Sequence, residues 1–540
     1  MELNIRMSDS KFLRGTLLLS IATFISKFLG MIYIFPFAAM VGQQGIALYQ
    51  YGYQPYTLML SVATLGIPMA MSKFVSKYNA MGDFETGRRL FKSGLFFMTL
   101  TGIAAFLILF FGAPLIVNLI SFDSSEAFTS DDVVFTIRMV SFALMIIPTM
   151  AIMRGFFQGH QSMGPTAVSQ VIEQIVRIVF ILAMALFILY AVDGNLGTAI
   201  GFATFGAFVG GLASMGVLIF YWKKRQRFLQ REQAGSTVSS DLPLTSMYSE
   251  LIRYALPLSL VGLAIPLFQM VDMFTFTRAL EQTGEWTSGQ IQTAYGAFAG
   301  SSHKLILIPV AIATAMSITL IPTITKSFTG NDQDLLQRQI TQTYQVILFL
   351  SVPAAVGLSL LARPTFGVLF GTESLEIGSY VLQHYAYAAI VFSLFSVSAA
   401  VLQGINRQKY AIASLMLGLL VKIISAYVLL LLLGPVGGIY STIIGFTCGV
   451  IFNAWAIAKF TGFHFGGVSR RAGTVVLLSA VMGIGVLITR NGMEVLFAGS
   501  GWVDLFMVEI ISVGVGGVLF MALAMKSGLA EKVLGKRFSA

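Results

Sequence analysis

Long apolar stretches separated by short polar ones run along this chain from residue 12 to residue 525. A membrane-spanning helix needs about 20 mostly apolar residues. Runs of that kind fall at roughly 12–36, 53–73, 91–118, 133–158, 165–190, 197–222, 250–278, 291–322, 339–362, 378–403, 410–434, 438–459, 472–489 and 503–525. The pattern predicts an all-α polytopic membrane protein with fourteen transmembrane helices. Pro68, Pro148, Pro257, Pro266, Pro309 and Pro353 fall inside these runs and predict kinks, because proline removes a helical hydrogen bond.

Composition agrees with that reading. Of 540 residues, 56% are hydrophobic and 11% charged, too apolar for a soluble globular protein. Basic residues test the helix count, because cytoplasmic connections are enriched in them. With the N-terminus inside, 26 of the 34 lysines and arginines lie in inner tails and loops, while the outer loops hold three, Arg278, Arg363 and Arg490. Both termini are therefore expected to be cytoplasmic, and the N-terminal run reads as an uncleaved first span. Asp123, Glu126, Asp131 and Asp132 mark an outer loop. The net charge of +10 reflects this topology and anionic inner-leaflet lipid, and needs no nucleic acid as partner. The single cysteine, Cys448, excludes an intrachain disulfide.

An internal repeat organises the spans. The segment FFQGHQSMGPTAVSQVIEQIVRIV (156–179) aligns without a gap on VLQGINRQKYAIASLMLGLLVKII (401–424), and Lys77 and Asp83 align with Lys326 and Asp332. The offsets of 245 and 249 residues are nearly equal, as duplication requires. They cross six helices, so the copies are parallel repeats. The expected organisation is an N-lobe of helices 1–6 (1–222), a cytoplasmic linker (223–249), a C-lobe of helices 7–12 (250–460), and helices 13 and 14 with a cytoplasmic tail (461–540). Such lobes hold a substrate near the midplane and rock around it.

Charges inside the spans carry the functional signal. Lys27 lies in the middle of the first run, where a charge costs at least about 2.5–3.5 kcal/mol unless a partner, water or a ligand compensates it. Arg138, Arg177, Lys304 and Lys422 are also intramembrane, against only two carboxylates in the twelve lobe helices, Glu173 and Asp272. Glu173 and Arg177 are spaced i, i+4, which suits a local ion pair, and Arg138 is near enough to the outer interface to snorkel. Asp272 alone cannot match Lys27, Lys304 and Lys422. The surplus predicts a hydrated cationic cavity around Lys27 and Lys304, set against the alternative of buried structural pairs. Such a cavity selects an anion, and phosphate or diphosphate groups suit it.

Other chemistry is sparse. No GxxxxGK[ST] loop is present, so ATP is not expected as a cofactor, and neither HExxH nor GxSxG occurs. The histidines are scattered without metal spacing; His303, beside Lys304, either lines the cavity or packs in the core. The tyrosines of LYQYGYQPY (48–56) read as an interfacial belt or as a platform for sugars.

The segments SKFLGMIYIFPFAAMVG, LGIPMAMSKFVSKYNAMGD and HKLILIPVAIATAMSITLIPTITKSFTGND resemble the lipid II flippase group (MurJ and stage V sporulation protein B-like) of the multidrug/oligosaccharidyl-lipid/polysaccharide exporter superfamily. The resemblance covers nearly the whole chain and is strongest to the Firmicutes form. It implies export of an undecaprenyl-diphosphate-linked peptidoglycan precursor across the cytoplasmic membrane by a monomer working beside the cell-wall synthesis machinery. By motif, Lys27 and Lys304 match family arginines of the first and eighth helices that contact the diphosphate. The family's second first-helix arginine falls about at Tyr33, and acidic residues flanking the eighth-helix arginine fall at His303 and Leu307. Diphosphate binding must then use other cations, with Arg177 or Lys422 as candidates. Some members bind sodium through acids in helices seven and eleven. Asp272 could serve in helix seven, but helix eleven offers Lys422, which disfavours sodium and lets Lys422 act as a tethered cation toward Asp272. The sequence leaves the driving force open among membrane potential, sodium and protons; an unloaded cationic cavity could be reset by the potential.

Three other readings compete. A flippase for another polyprenyl-diphosphate glycan shares the same chemistry. A multidrug cation exporter calls for an excess of intramembrane acids and is disfavoured by the basic interior, and a glycan polymerase or ligase calls for catalytic groups on long outer loops, which are short here.

Overall fold

The computed structural model describes residues 2–64, 66–120, 127–234, 243–497, 499 and 501–534. Asp123, Glu126, the middle of the expected linker (235–242) and the tail from 535 lie outside the described residues. Every described element is helical, and the chain forms two compact units. Unit 1 comprises the chain up to Val41 together with Leu48–Pro266; unit 2 comprises Gly42–Ala47 and the chain from Leu267. The division thus falls inside the seventh apolar run.

Unit 1 is built from α1 (Glu2–Ile32), α2 (Ile34–Thr64), α3 (Ile67–Ala80), α4 (Phe84–Ile120), α5 (Ser130–Ser141), α6 (Ile147–Gly159), α7 (Met163–Leu186), α8 (Leu196–Ala234) and α9 (Leu244–Gly262). Its core includes Phe91 packed at a tilt against Phe156 and Trp222, with ring centroids 4.1 and 5.1 Å away. The remaining helices are α10 (Ala264–Thr283), α11 (Ser288–Tyr295), α12 (His303–Thr329), α13 (Gln333–Leu360), α14 (Ala362–Phe370), α15 (Leu375–Tyr385), α16 (Ala388–Gly404), α17 (Gln408–Leu433), α18 (Val436–Thr461), α19 (Gly466–Leu496), α20 (Trp502–Lys526) and α21 (Leu529–Leu534). A π-helical turn, Gly296–Ser302, joins α11 to α12.

Among the described residues, 12 helical stretches are long and apolar enough to cross a membrane. The first, Leu17–Ala80, contains two of the expected spans, and α9 with α10 supplies the seventh, so the arrangement is consistent with fourteen. Large side chains such as Phe96, Phe111, Leu432 and Val518 face outward, a surface that only lipid can cover favourably. The prolines divide into two groups. Pro68 and Pro148 open α3 and α6, where the missing N–H costs nothing, and Pro266 lies just inside α10. Pro309 and Pro353 sit within continuous helices.

The repeat is visible in local construction. Gln161 and Asn406, two residues beyond the ends of α6 and α16, take positive φ of 55° and 59°, and the N–H of the residue after each, Ser162 and Arg407, donates to the Phe157 and Leu402 carbonyls respectively. Gly82 and Asn331 likewise take φ of 74° and 55° before Asp83 and Asp332, whose Oδ1 atoms accept from Thr86 and Leu335 N–H, each at 3.0 Å. Gly159 and Gly404 make the same close approach. A Cβ on Gly159 would meet Val75 at 2.6 Å, and one on Gly404 would meet Ile324 at 2.7 Å. Val75 and Ile324 are themselves repeat equivalents at the second offset.

Candidate functional site

In unit 1 the candidate groups gather along α7. Helix α1 packs on it: Thr23 Oγ1 donates to Gln170 Oε1 at 3.2 Å, and a Cβ on Gly30 would meet Gln174 Nε2 at 2.9 Å. Lys27 lies between Thr23 and Gly30 on that stripe. It is exposed and makes no hydrogen bond or ion pair among the described residues.

The expected pair between Glu173 and Arg177 does not form. Glu173 is paired instead with Arg154 of α6, whose Nη2 donates to Glu173 Oε2 at 2.7 Å and to Ser214 Oγ at 2.8 Å, while its Nε donates to Ser169 Oγ at 2.9 Å. The topology count placed Arg154 in a loop; it belongs to the body of α6, with only 14% of its side chain exposed. Three acceptors converge on one planar guanidinium, an arrangement that a single i, i+4 contact cannot match.

Arg177 is thereby released toward α2. Its Nη1 donates to Tyr53 Oη at 3.4 Å, and its Nε is buried without a hydrogen-bond partner. Tyr53 stacks on Tyr49 at 5.3 Å, and Tyr33 Oη donates to Tyr49 Oη at 3.3 Å. Tyr33, Tyr49, Tyr51 and Tyr56 are all buried, so the LYQYGYQPY tyrosines form an interior cluster and not an interfacial belt. The physical reason is that the chain breaks at Gly42 (φ 65°) and a helix then resumes to Thr64, and this second stretch of α2 carries 48–56 into the bundle.

In unit 2, Lys422 of α17 reaches Asp272 of α10. Its Nζ donates to Asp272 Oδ1 at 2.6 Å and also contacts Thr442 Oγ1, Ser441 Oγ and the Gly438 carbonyl. The Lys422 side chain is 0% exposed and that of Asp272 5%. Lys422 therefore has an internal partner and no open surface, which removes it from the cations available to a ligand. His303 is also buried: its Nδ1 lies 2.9 Å from Tyr385 Oη, and its ring packs against Phe392. It belongs to the core, through the aromatic series Tyr385, Phe298 and Phe276 that extends to Gly438 beside Asp272. Lys304, the next residue, is half-buried. Arg138 donates from Nε to the Phe110 carbonyl at 3.3 Å, a local bond that leaves it out of the candidate set.

Sequence reasoning missed Arg154, the contact of Tyr53 with Arg177 and the Ser441–Thr442 pair. Arg154 carried a usable signal, since it lies within an apolar run; the other two become meaningful only when distant helices meet.

The described helices are those of a polytopic membrane protein with paired charges and polar side chains buried between them. The arrangement of helices is that of the multidrug and polysaccharide exporters. It matches a lipid II flippase MurJ in an inward closed conformation (TM-score 0.67, 18% identity, 96% of this chain and 99% of that one) and an inward-facing multidrug resistance MATE family transporter (TM-score 0.64, 13% identity, 85% and 98%). The profile of the polysaccharide biosynthesis protein family matches residues 12–328. The lipid II flippase MurJ of Bacillus subtilis (strain 168) is 44% identical over 98% of both chains, and the stage V sporulation protein B of the same organism is 24% identical over 84% of this chain and 85% of that one. This chain belongs to the lipid II flippase (MurJ) group of that family.

Proposed function

We propose that the chain is a multi-pass protein of the cytoplasmic membrane that translocates lipid II, the undecaprenyl-diphosphate-linked peptidoglycan precursor, by alternating access and without covalent chemistry. The observation that carries this reading is the end-to-end 44% identity to the flippase so named. The cations fit the substrate. A diphosphate needs several donors; Lys27 and Arg177 make no ion pair with a carboxylate among the described residues, and Lys304 is the further candidate that the sequence offers. Arg177 retains an unused Nε, and a guanidinium binds phosphate oxygens in a fork. The lipid tail remains in the bilayer while the head group exchanges sides.

Asp272 is already neutralised by Lys422, so the cycle does not call for sodium at that carboxylate. Membrane potential acts on the unloaded cations, at about 2.3 kcal/mol per charge per 100 mV. We place both termini on the cytoplasmic side and take the monomer as the working unit.

The test is translocation of lipid II in liposomes by wild type, Lys27→Ala, Lys304→Ala and Arg177→Gln at equal folded protein. Wild-type flipping lost in Lys27→Ala and Lys304→Ala supports the reading. Flipping retained in both returns the lysines to structural roles, and no wild-type flipping of lipid II transfers the substrate to another polyprenyl-diphosphate glycan.

A further inference from the structure

A cavity that none of these cations lines lies in the C-terminal part of unit 2. It has a volume of about 340 Å³ and is walled by α13, α14, α19 and α20. Its rim residues Ala354, Val513 and Gly517 are exposed, Val513 by 52%, so the cavity opens on the lipid-facing surface. Most of the lining is apolar, with Thr365, Glu509 and Ser512 as its polar side chains.

Those groups are incompletely used. Thr365 Oγ1 donates to Glu509 Oε1 at 2.8 Å, but Glu509 Oε2 and the fully buried Ser512 Oγ have no hydrogen-bond partner among the described residues. Glu509 and Ser512 are spaced i, i+3, hence on one face of α20. No basic side chain lines the cavity. Arg490, on the same helix as the wall residues Met482 and Val486, is engaged with the Leu360 carbonyl at 2.8 Å and with Glu494.

An acid at this depth is costly unless something compensates it. Glu509 follows Trp502, the first residue of α20, by seven residues, about 10 Å along the helix axis at about 1.5 Å per residue. Trp502 marks a membrane interface, so the carboxylate sits within the acyl region of one leaflet, too deep for the amine of an ordinary lipid head group. A single-chain amphiphile can bring its polar end there.

We propose that this cavity binds a single-chain alkylammonium amphiphile entering from the bilayer. The ammonium is held by Glu509 Oε2 and Ser512 Oγ, and the first part of the chain fills the apolar cavity. A carboxylate oxygen and a hydroxyl oxygen match two of the three ammonium donors. A neutral alcohol of equal chain length matches the shape but offers no charge.

The test uses full-length protein in nanodiscs at neutral pH, photolabelled with a diazirine-bearing dodecylamine and mapped by peptide mass spectrometry. Unlabelled dodecylamine and dodecanol compete. We expect saturable labelling of α13 and α20, with dodecylamine competing about tenfold better than dodecanol, the difference expected for one charged hydrogen bond. Glu509→Gln should erase that preference, a ratio that does not depend on how readily the label attacks a carboxylate. Gly517→Leu should abolish labelling by filling the cavity, and it is sterically permitted because a Cβ there meets nothing within 4 Å. Equal competition by the alcohol in wild type, or undiminished labelling in Gly517→Leu protein that unfolds at the wild-type temperature, would overturn the proposal.

Discussion

Lys422 and Asp272 stand 150 residues apart in the chain and 2.6 Å apart in space, sealed from solvent with two hydroxyls and a carbonyl around the ammonium. Breaking such a pair is costly, because the remaining charge stays buried alone. We expect Asp272→Asn and Lys422→Met each to lower stability by about 3–5 kcal/mol and the double variant to lose much less than the sum. Thermal unfolding of purified protein in nanodiscs measures this cycle; additive losses would show that the pair is not energetically coupled.

The partner of Glu173 can be tested in the same way. A cycle between Arg154→Ala and Glu173→Gln should give a coupling of about 1–3 kcal/mol, whereas one between Arg177→Ala and Glu173→Gln should give under about 0.5 kcal/mol. The reverse order would restore the i, i+4 pair.

Asp83 and Asp332 occupy equivalent places and cap α4 and α13 through the same bond. Replacing either by alanine should cost about 1 kcal/mol. The loss at Asp83 should be the larger, because Asp83 is fully buried while Asp332 is exposed. Matched denaturation curves for the two variants check both the size and the order.

Lys27 is exposed and makes no ion pair among the described residues, so Lys27→Ala should leave stability within about 0.5 kcal/mol while abolishing flipping. A clear fall in unfolding temperature would instead assign Lys27 a structural contact.

Replacing sodium by potassium on both sides of the membrane should leave lipid II flipping unchanged, whereas collapsing the membrane potential should slow it. Sodium dependence lost in Asp272→Asn would show that a sodium ion displaces Lys422 during the cycle.

How far the sequence reached depended on the range of the interaction. The spans, the two repeats and the intramembrane charges were legible because hydrophobic length, duplication and the cost of burying charge act within a single segment or between copies of one. The partners of the charges were not legible. Glu173 had an arginine one turn away and took another from a neighbouring helix, because Ser169 and Ser214 complete the coordination of Arg154. The tyrosines after the first span read as an interface because apolar length placed the helix end near residue 36, whereas α2 carries them into the core. Glu509 lies within the last apolar run, and only the convergence of four helices gave it a cavity. Sequence alone determined which segments enter the membrane and that a surplus of positive charge goes with them. Tertiary structure decided which charges are neutralised, because an ion pair forms between side chains that packing brings within about 4 Å, whatever their separation along the chain.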